Sequence, residues 1–312
     1  VSQRIAFVGL GAMGSAMARR LVEAQYHVVG FDVRADALRA LEQAGGHAAP
    51  TARAAATGAD ALVLMVVNGD QVESVLFEAG ALDALAPTAH VIVMATCAPA
   101  RIAAIAEKVA ATGRRFVDAP VSGGVVGATD GTLSIMAAAP DKTFADARPI
   151  LMAMGSNLYH LGEKPGQGAA MKIVNQLLAG VHLAAAAEGL AFAERCGVDP
   201  KLALQIVSGS AASSWMLKNR GPRMVEDTDT VTSAVDIFVK DLGLVLAAGT
   251  SVKAGLPLAA AAHQLFLAAS GMGLGSRDDS QVIAPYRALA APTGTGPSGT
   301  YDDDHDTGDR NR

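Results

Sequence analysis

Aromatic residues are scarce in this sequence, only 4% of 312 residues, while alanine and glycine abound. That balance argues against an aromatic-rich β-sandwich and for closely packed helices and tight turns. Cysteine is nearly absent: Cys97 and Cys196 lie far apart and belong to no CxxC pair. This argues against a zinc site or disulfide framework and fits a reducing, cytoplasmic setting. Cations are in the minority, and a net charge of -5 leaves no basic stripe for nucleic acid. No apolar run reaches the roughly 18 residues of a membrane span. Ala179–Ala187 is the nearest approach, and Glu188 interrupts it. No basic lead precedes the first apolar run at Arg4, so no secretory signal and no membrane partner are expected.

What is present is a chain 51% hydrophobic and 18% charged, long enough for about two domains. Short β-type runs occur at Arg4–Leu10, Tyr26–Asp32, Ala61–Val67, His90–Met94, Arg115–Asp118, Thr132–Ala139 and Asn157–Leu161. Helix-prone, Ala-rich segments alternate with them at Ala12–Ala24, Ala35–Ala44, Gln71–Phe77, Ala98–Thr112 and Lys142–Met154. Such alternation with apolar strands predicts an α/β fold with a mainly parallel sheet covered on both faces. After Lys164-Pro165-Gly166 no further strand is evident. Gln167–Cys196 reads as one long helix stopped by Gly197, with Asp199 and Pro200 starting the next. Val235–Ala254 reads as another, closed by Gly255 with Pro257 beginning its successor. The expected division is residues 1–164 as the sheet domain, 165–292 as an all-α domain and 293–312 as a disordered polar tail.

The first β-type run leads into Gly9-Leu10-Gly11-Ala12-Met13-Gly14, a GxGxxG between strand and helix. The first glycine permits the tight turn, the second a close approach of backbone to pyrophosphate, and the third close helix–strand packing. The helix N-terminus that follows offers unpaired N–H groups to the phosphates. Asp32 ends the second run, where a carboxylate binds the adenosine ribose hydroxyls and repels a 2′-phosphate. NAD is therefore expected over NADP, although Arg34 is close enough to meet such a phosphate. The alternative for the loop alone is an ordinary Gly-rich turn.

Asp118-Ala119-Pro120-Val121-Ser122-Gly123-Gly124 follows another strand end, where ligands of open α/β sheets bind. Ser122 offers a hydroxyl, and Gly123 and Gly124 let backbone N–H groups approach a carboxylate; a simple turn would use the same residues. Lys172, Asn175 and Gln176 share one face of the long helix. Oxidation of an alcohol needs a base for the hydroxyl proton, and a lysine with a lowered pKa serves. Asn175 would then hold the substrate. A solvated polar face is the plain alternative.

The ordered motifs GLGAMG, DAPVSGG, GQGAAMKIVNQ and FVKDLGLVL, over residues 4 to about 290, resemble the β-hydroxyacid dehydrogenase family, which includes 3-hydroxyisobutyrate dehydrogenases and tartronate semialdehyde reductases. The resemblance implies an N-terminal Rossmann domain, doubly wound, and a C-terminal helical domain joined by a long helix. It implies Lys172 as the catalytic acid/base, Ser122, Gly123 and Gly124 as the carboxylate site and Asn175 as the orienting residue. It further implies that Lys240 closes over cofactor and substrate, helping to lower the Lys172 pKa. Thr96 matches a cofactor-contacting position, though Ala95 replaces the usual preceding serine. Val66 and Val67 stand where the family often has Leu-Pro beside the cofactor, and Asn68 next to them is within reach of the ribose. The segments Ser208–Met216 and Asp278–Ile283 look like the L-threonate dehydrogenase branch. Ser213, Ser214 and the lone Trp215 would suit a polyhydroxylated four-carbon acid; a helix-to-helix connection would look the same. The family also usually forms homodimers or homotetramers.

His90, His160, His182 and His263 lie in no metal-ligand spacing, and Asp302–Asp306 with His305 reads as solvated tail, so no metal is expected. A non-catalytic binding module of this fold would lack the lysine and carry a basic DNA-contacting run. An imine-reducing relative would carry another residue at position 172. A decarboxylating 6-phosphogluconate enzyme would need a larger helical domain.

Overall fold

The structure, a computed structural model, describes residues 3–226 and 230–289. Six strands, β1 (Arg4–Val8), β2 (His27–Phe31), β3 (His47–Ala48), β4 (Ala61–Leu64), β5 (His90–Val93) and β6 (Arg115–Asp118), form one sheet ordered β3-β2-β1-β4-β5-β6. Every pair in it is parallel. This is the Rossmann order, with β1 at the switch point between the two halves. Alternate side chains feed two cores. Ala6, Val8, Leu62, Leu64, Val91 and Val93 point to one, and Ile5, Phe7, Ala61, Val63 and Ile92 to the other. Burial on both faces is why these strands read as continuous apolar runs.

The helices of this half are α1 (Ala12–Glu23), α2 (Ala35–Gln43), α3 (Ala52–Ala56), α4 (Gly69–Glu73), α5 (Ala81–Ala84), α6 (Pro99–Ala110), α7 (Gly124–Asp130) and α8 (Asp141–Met154). The expected runs at 132–139 and 157–161 do not extend the parallel sheet. They form β8 (Ser134–Ala137) and β9 (Asn157–His160) of a separate three-stranded sheet with β7 (Val121–Ser122). In that sheet β7 runs antiparallel to β8, and the Pro120 carbonyl between β6 and β7 accepts from the Met136 N–H. The short β3, β7, α3, α5 and α7 have no counterpart in the sequence expectation, being too short for a periodic pattern to register.

From residue 165 the described chain is helical: α9 (Gln167–Arg195), α10 (Pro200–Ser208), α11 (Trp215–Glu226), α12 (Val235–Ser251), α13 (Pro257–Ala269) and α14 (Ala284–Ala288). Helix α9 ends in a Schellman pair, Val198 N–H to Ala193 C=O and Gly197 N–H to Glu194 C=O, with Gly197 at φ 74°. Asp199 caps α10 through the Lys201 N–H, with Pro200 in the first turn. Helix α12 stops earlier than expected. It ends at Ser251, and Lys253 rather than Gly255 takes the left-handed conformation (φ 57°). By length and composition α9 is apolar enough to cross a membrane, which corrects the expectation that no segment qualifies. One side of it has other partners: Leu183, Ala187 and Leu190 join the helical core with Phe238, Leu242 and Phe266. The expected tail at 293–312 lies outside the described residues.

The start of α9 is set into the first half. The Asp118 carboxylate, at the end of β6, accepts the N–H groups of Gly166 (2.8 Å) and Ala169 (2.9 Å). Gly168 lies so close to β8 and β6 that an added methyl would overlap the backbone oxygens of Met136 and Asp118. The sheet thus holds the first turn of α9, and the residues one turn further on lie at the junction of the two halves.

Candidate active site

A cavity of about 590 Å³ opens at that junction. On one side stand the glycine loop and the ends of β4 and β5. On the other stand α9, α11, residues 231–234 and α12. Of the site residues named from the sequence, Gly11, Ala12, Met13, Gly14, Val66, Val67, Thr96, Ser122, Gly123, Gly124, Lys172, Asn175, Trp215 and Lys240 all line it. Gly9 and Asp32 do not line it, and their contacts with Phe31 and Leu10 fix the glycine loop that does.

Gly9 has φ 93°, and its N–H donates to Phe31 C=O at 3.0 Å. A methyl there would crowd the Met65 carbonyl, and one on Gly14 would overlap the Gly9 oxygen, while one on Gly11 would meet no atom within 4 Å. The loop is therefore closed toward the protein and open toward the cavity. Gly11 stands at the N-cap of α1 and offers no side-chain cap, and the first residues of the helix line the same space with N–H groups that the helix itself leaves unpaired. Asp32 accepts from the Leu10 N–H (2.7 Å) and the Arg34 N–H (2.9 Å). Arg34 folds back to donate to Leu10 C=O at 3.0 Å. A carboxylate at the end of β2 beside an uncapped helix start is the cradle of a dinucleotide, and the residues present fit one.

Lys172 is buried, and its Nζ donates to Gln176 Oε1 at 2.7 Å. Burial pushes its pKa down to about 8. The Asp241 carboxylate works against that shift, and the Lys240 ammonium adds to it. The expected contribution of Lys240 is present but is smaller than that of burial. Gln176 Nε2 donates to Asp241 Oδ2 (2.5 Å), and Lys240 donates to Asp241 Oδ1 (2.5 Å). Asn175 Nδ2 also reaches Gln176 Oε1 (2.9 Å), and Ser122 Oγ donates to Asn175 Oδ1 (3.2 Å). One polar chain therefore runs from Ser122 on β7 across α9 to Lys240 on α12.

Three sequence expectations need correction. Asn68 does not line the cavity; its Oδ1 caps α4 through the Gln71 N–H. Ser214 is likewise a helix cap, accepting from the Leu217 N–H at 3.0 Å, and Ser213, half-buried with its hydroxyl covered, does not line the cavity, so of that run Trp215 and Met216 form the wall. His182, set aside in the sequence, lines the cavity. The other three histidines are structural: His90 is buried, His160 stacks on Phe144 and His263 meets Val239 C=O. Among the described residues no cluster suited to a metal ion occurs.

Sequence reasoning did not single out Asp241, Asp118 or the far wall, Arg220, Thr232 and Ser233. Arg220 is buried, paired with the fully buried Asp279 (2.7 and 3.1 Å) and 5.9 Å from the Trp215 ring. The Lys-Asp pair inside the apolar stretch of α12 was the available signal for Asp241. Arg220 has none, because its partner lies 59 positions away.

Residues 4–162 match the family described as the NAD binding domain of 6-phosphogluconate dehydrogenase. Residues 166–286 match that described as NAD-binding of NADP-dependent 3-hydroxyisobutyrate dehydrogenase. The chain is 43% identical to the L-threonate dehydrogenase of Cupriavidus necator over 94% of this chain and 99% of that one. It is 40% identical to the L-threonate dehydrogenase of Escherichia coli K12 over 92% and 96%. A crystal structure of a 3-hydroxyisobutyrate dehydrogenase from Salmonella typhimurium superposes with a TM-score of 0.87 at 41% identity, covering 91% of this chain and all of that one.

Proposed function

Because this chain belongs to the 3-hydroxyisobutyrate dehydrogenase-like β-hydroxyacid dehydrogenases, NAD(P)-dependent oxidoreductases of CH–OH groups, we propose that it oxidises L-threonate to the 2-oxo acid with NAD. The observation that carries this reading is the buried amine of Lys172 in the cavity between the glycine loop and the helical half. When bound, the nicotinamide supplies the acceptor for the hydride that leaves the carbinol carbon.

Lys172 takes the proton of the substrate hydroxyl. An amine with a pKa near 8 is partly neutral at physiological pH, as a base for this step must be. The substrate carboxylate is held by Ser122 and the backbone of Gly123 and Gly124. At 3.2 Å the Ser122–Asn175 bond is long for O–H···O, so exchanging it for a shorter charge-assisted bond to a carboxylate is favourable. Asn175 orients the substrate, and Lys240 covers the site. The far wall is lined by Trp215, Arg220, Thr232 and Ser233, whose side chains carry hydrogen-bonding groups. That favours a polyhydroxylated acid over 3-hydroxyisobutyrate or tartronate semialdehyde. Asp32 favours NAD, and Arg34 is engaged with the Leu10 carbonyl and with Asp32 itself.

Helix α10 buries none of its residues, and Leu202, Ile206 and Phe192 of α9 are exposed, which supports a homodimer or homotetramer. The free thiols Cys97 and Cys196 support a cytoplasmic location. The test is reduction of NAD and, separately, NADP with L-threonate, D-erythronate, D-glycerate, 3-hydroxyisobutyrate and L-serine. L-threonate with NAD is expected to give the highest kcat/KM. A response to 3-hydroxyisobutyrate alone would reassign the substrate, and no response to any would leave only the fold and family.

A further inference from the structure

The amide of Gln176 bonds at both ends, and its orientation is fixed by its neighbours. Asp241, paired with the Lys240 ammonium, presents carboxylate oxygens that accept. The Gln176 NH2 must therefore face Asp241, and its carbonyl must face Lys172. Asn175 donates to the same carbonyl, which turns its own oxygen toward Ser122. The direction of every bond in the chain follows from Asp241.

We propose that Gln176 is a positioning residue whose amide, oriented by Asp241, holds the Lys172 amine with a neutral acceptor and keeps the carboxylate from touching it. The proposal rests on the reading of Lys172 as the base. A lysine needs an acceptor to aim its Nζ. A carboxylate in that place would form an ion pair and lock the amine in its charged form. The amide aims it without adding charge. Lys172 and Gln176 are four residues apart on α9, so both move with one rigid helix.

The charged and titratable groups around Lys172 are few. Lys240 and Asp241 come from α12, Arg220 from α11 (held by Asp279), Asp118 from β6 (held by the N–H groups at the start of α9) and His182 from α9 itself. Only Gln176 is bonded to the amine among the described residues. Exchanging this one group therefore changes the charge directly against Nζ, and it also replaces the donor that faces Asp241 with an acceptor.

Gln176→Glu keeps the shape and introduces that charge. The test is the pH dependence of Lys172 acylation by trace acetic anhydride, followed by peptide mass spectrometry, which needs no turnover. The midpoint in Gln176→Glu is expected about one unit or more above wild type. With whichever hydroxy acid the wild type oxidises, kcat/KM near neutral pH falls about tenfold and recovers at about pH 10. Gln176→Met, which removes the acceptor without adding charge, keeps the midpoint at or below that of wild type. It lowers kcat at every pH, a loss that alkali does not rescue. A folded Gln176→Glu protein whose midpoint matches wild type overturns the proposal. Should that variant not fold, Asp241→Asn decides: a lowered midpoint with reduced kcat supports the proposal, and wild-type kcat refutes it. If wild type turns over no hydroxy acid, the functional reading fails, while the acylation midpoints still decide the role of Gln176.

Discussion

The Asp118 carboxylate accepts the Ala169 N–H at 2.9 Å, joining the last residue of β6 to the first turn of α9. Burial lifts the Asp118 pKa to about 6, and the backbone N–H groups of Ala169, Gly166 and Gly168 work against that rise. Because the folded value exceeds the unfolded one, the native state binds the proton more tightly. The contribution to stability is thus complete below the ordinary carboxylate range and is lost as pH rises through about 6. Asp118→Asn keeps an acceptor for both N–H groups and is expected to remove about 1–3 kcal/mol of that pH dependence. Asp118→Ala orphans both donors and is expected to lose about 2 kcal/mol near neutral pH. Urea denaturation between pH 4 and 8 measures both.

Gly168→Ala forces a methyl against the Met136 carbonyl oxygen, which belongs to a buried strand and cannot yield cheaply. A loss of about 1–3 kcal/mol is expected by chemical denaturation. A fall in kcat should accompany it, since α9 must shift and Lys172 moves with it. Unchanged kcat in a destabilised protein would separate the amine's position from the first turn of the helix.

The amine of Lys172 carries a second, opposite signature. Its pKa is lowered to about 8, so the unfolded state binds the proton more tightly and stability rises with pH between about 8 and 10. Hydroxy-acid oxidation needs the neutral amine, so kcat/KM is expected to climb through about pH 8 and level off. Reduction of the 2-oxo acid should show the reverse limb. Lys172→Ala is expected to lower turnover by several orders of magnitude while fluorescence titration still detects cofactor binding.

Removing Arg220 leaves Asp279 fully buried without its partner, and Arg220→Ala should cost about 3–5 kcal/mol. The pair Arg220→Met with Asp279→Leu is expected to recover most of that in thermal melts. If Arg220 also meets the distal hydroxyls of the substrate, KM for L-threonate stays raised in the recovered double variant while D-glycerate is less affected.

Asp32→Ala breaks the contacts to the N–H groups of both Leu10 and Arg34. NAD affinity is expected to fall about tenfold or more and the preference over NADP to shrink. Kd values for both dinucleotides by calorimetry provide the check.

Much of this architecture is legible in the sequence because its signals are local. A strand running into GxGxxG, an acidic residue closing the next strand and Lys172, Asn175 and Gln176 on one helical face can each be read within a few turns of chain. The Schellman stop at Gly197 and the start at Asp199-Pro200 are of the same kind. What could not be read depends on partners distant in sequence. Asp118 meets residues 48 and 51 positions away, Gln176 meets Asp241 at 65 and Arg220 meets Asp279 at 59. The serine run failed for the opposite reason. The Ser214 hydroxyl has a use within one turn, as the cap of α11, that the sequence alone could not rank below a pocket wall.

The grip of the sheet on the first turn of α9 registers the Lys172 amine to the glycine-loop side of the cavity. The opposite wall of the cavity comes from α11 and residues 231–234, outside that grip. On the proposed reading, substitutions there retailor which acid fits without disturbing the distance between Lys172 and the glycine loop. A single frame can in this way give rise to enzymes for many different acids, diverging in appetite while sharing one chemistry.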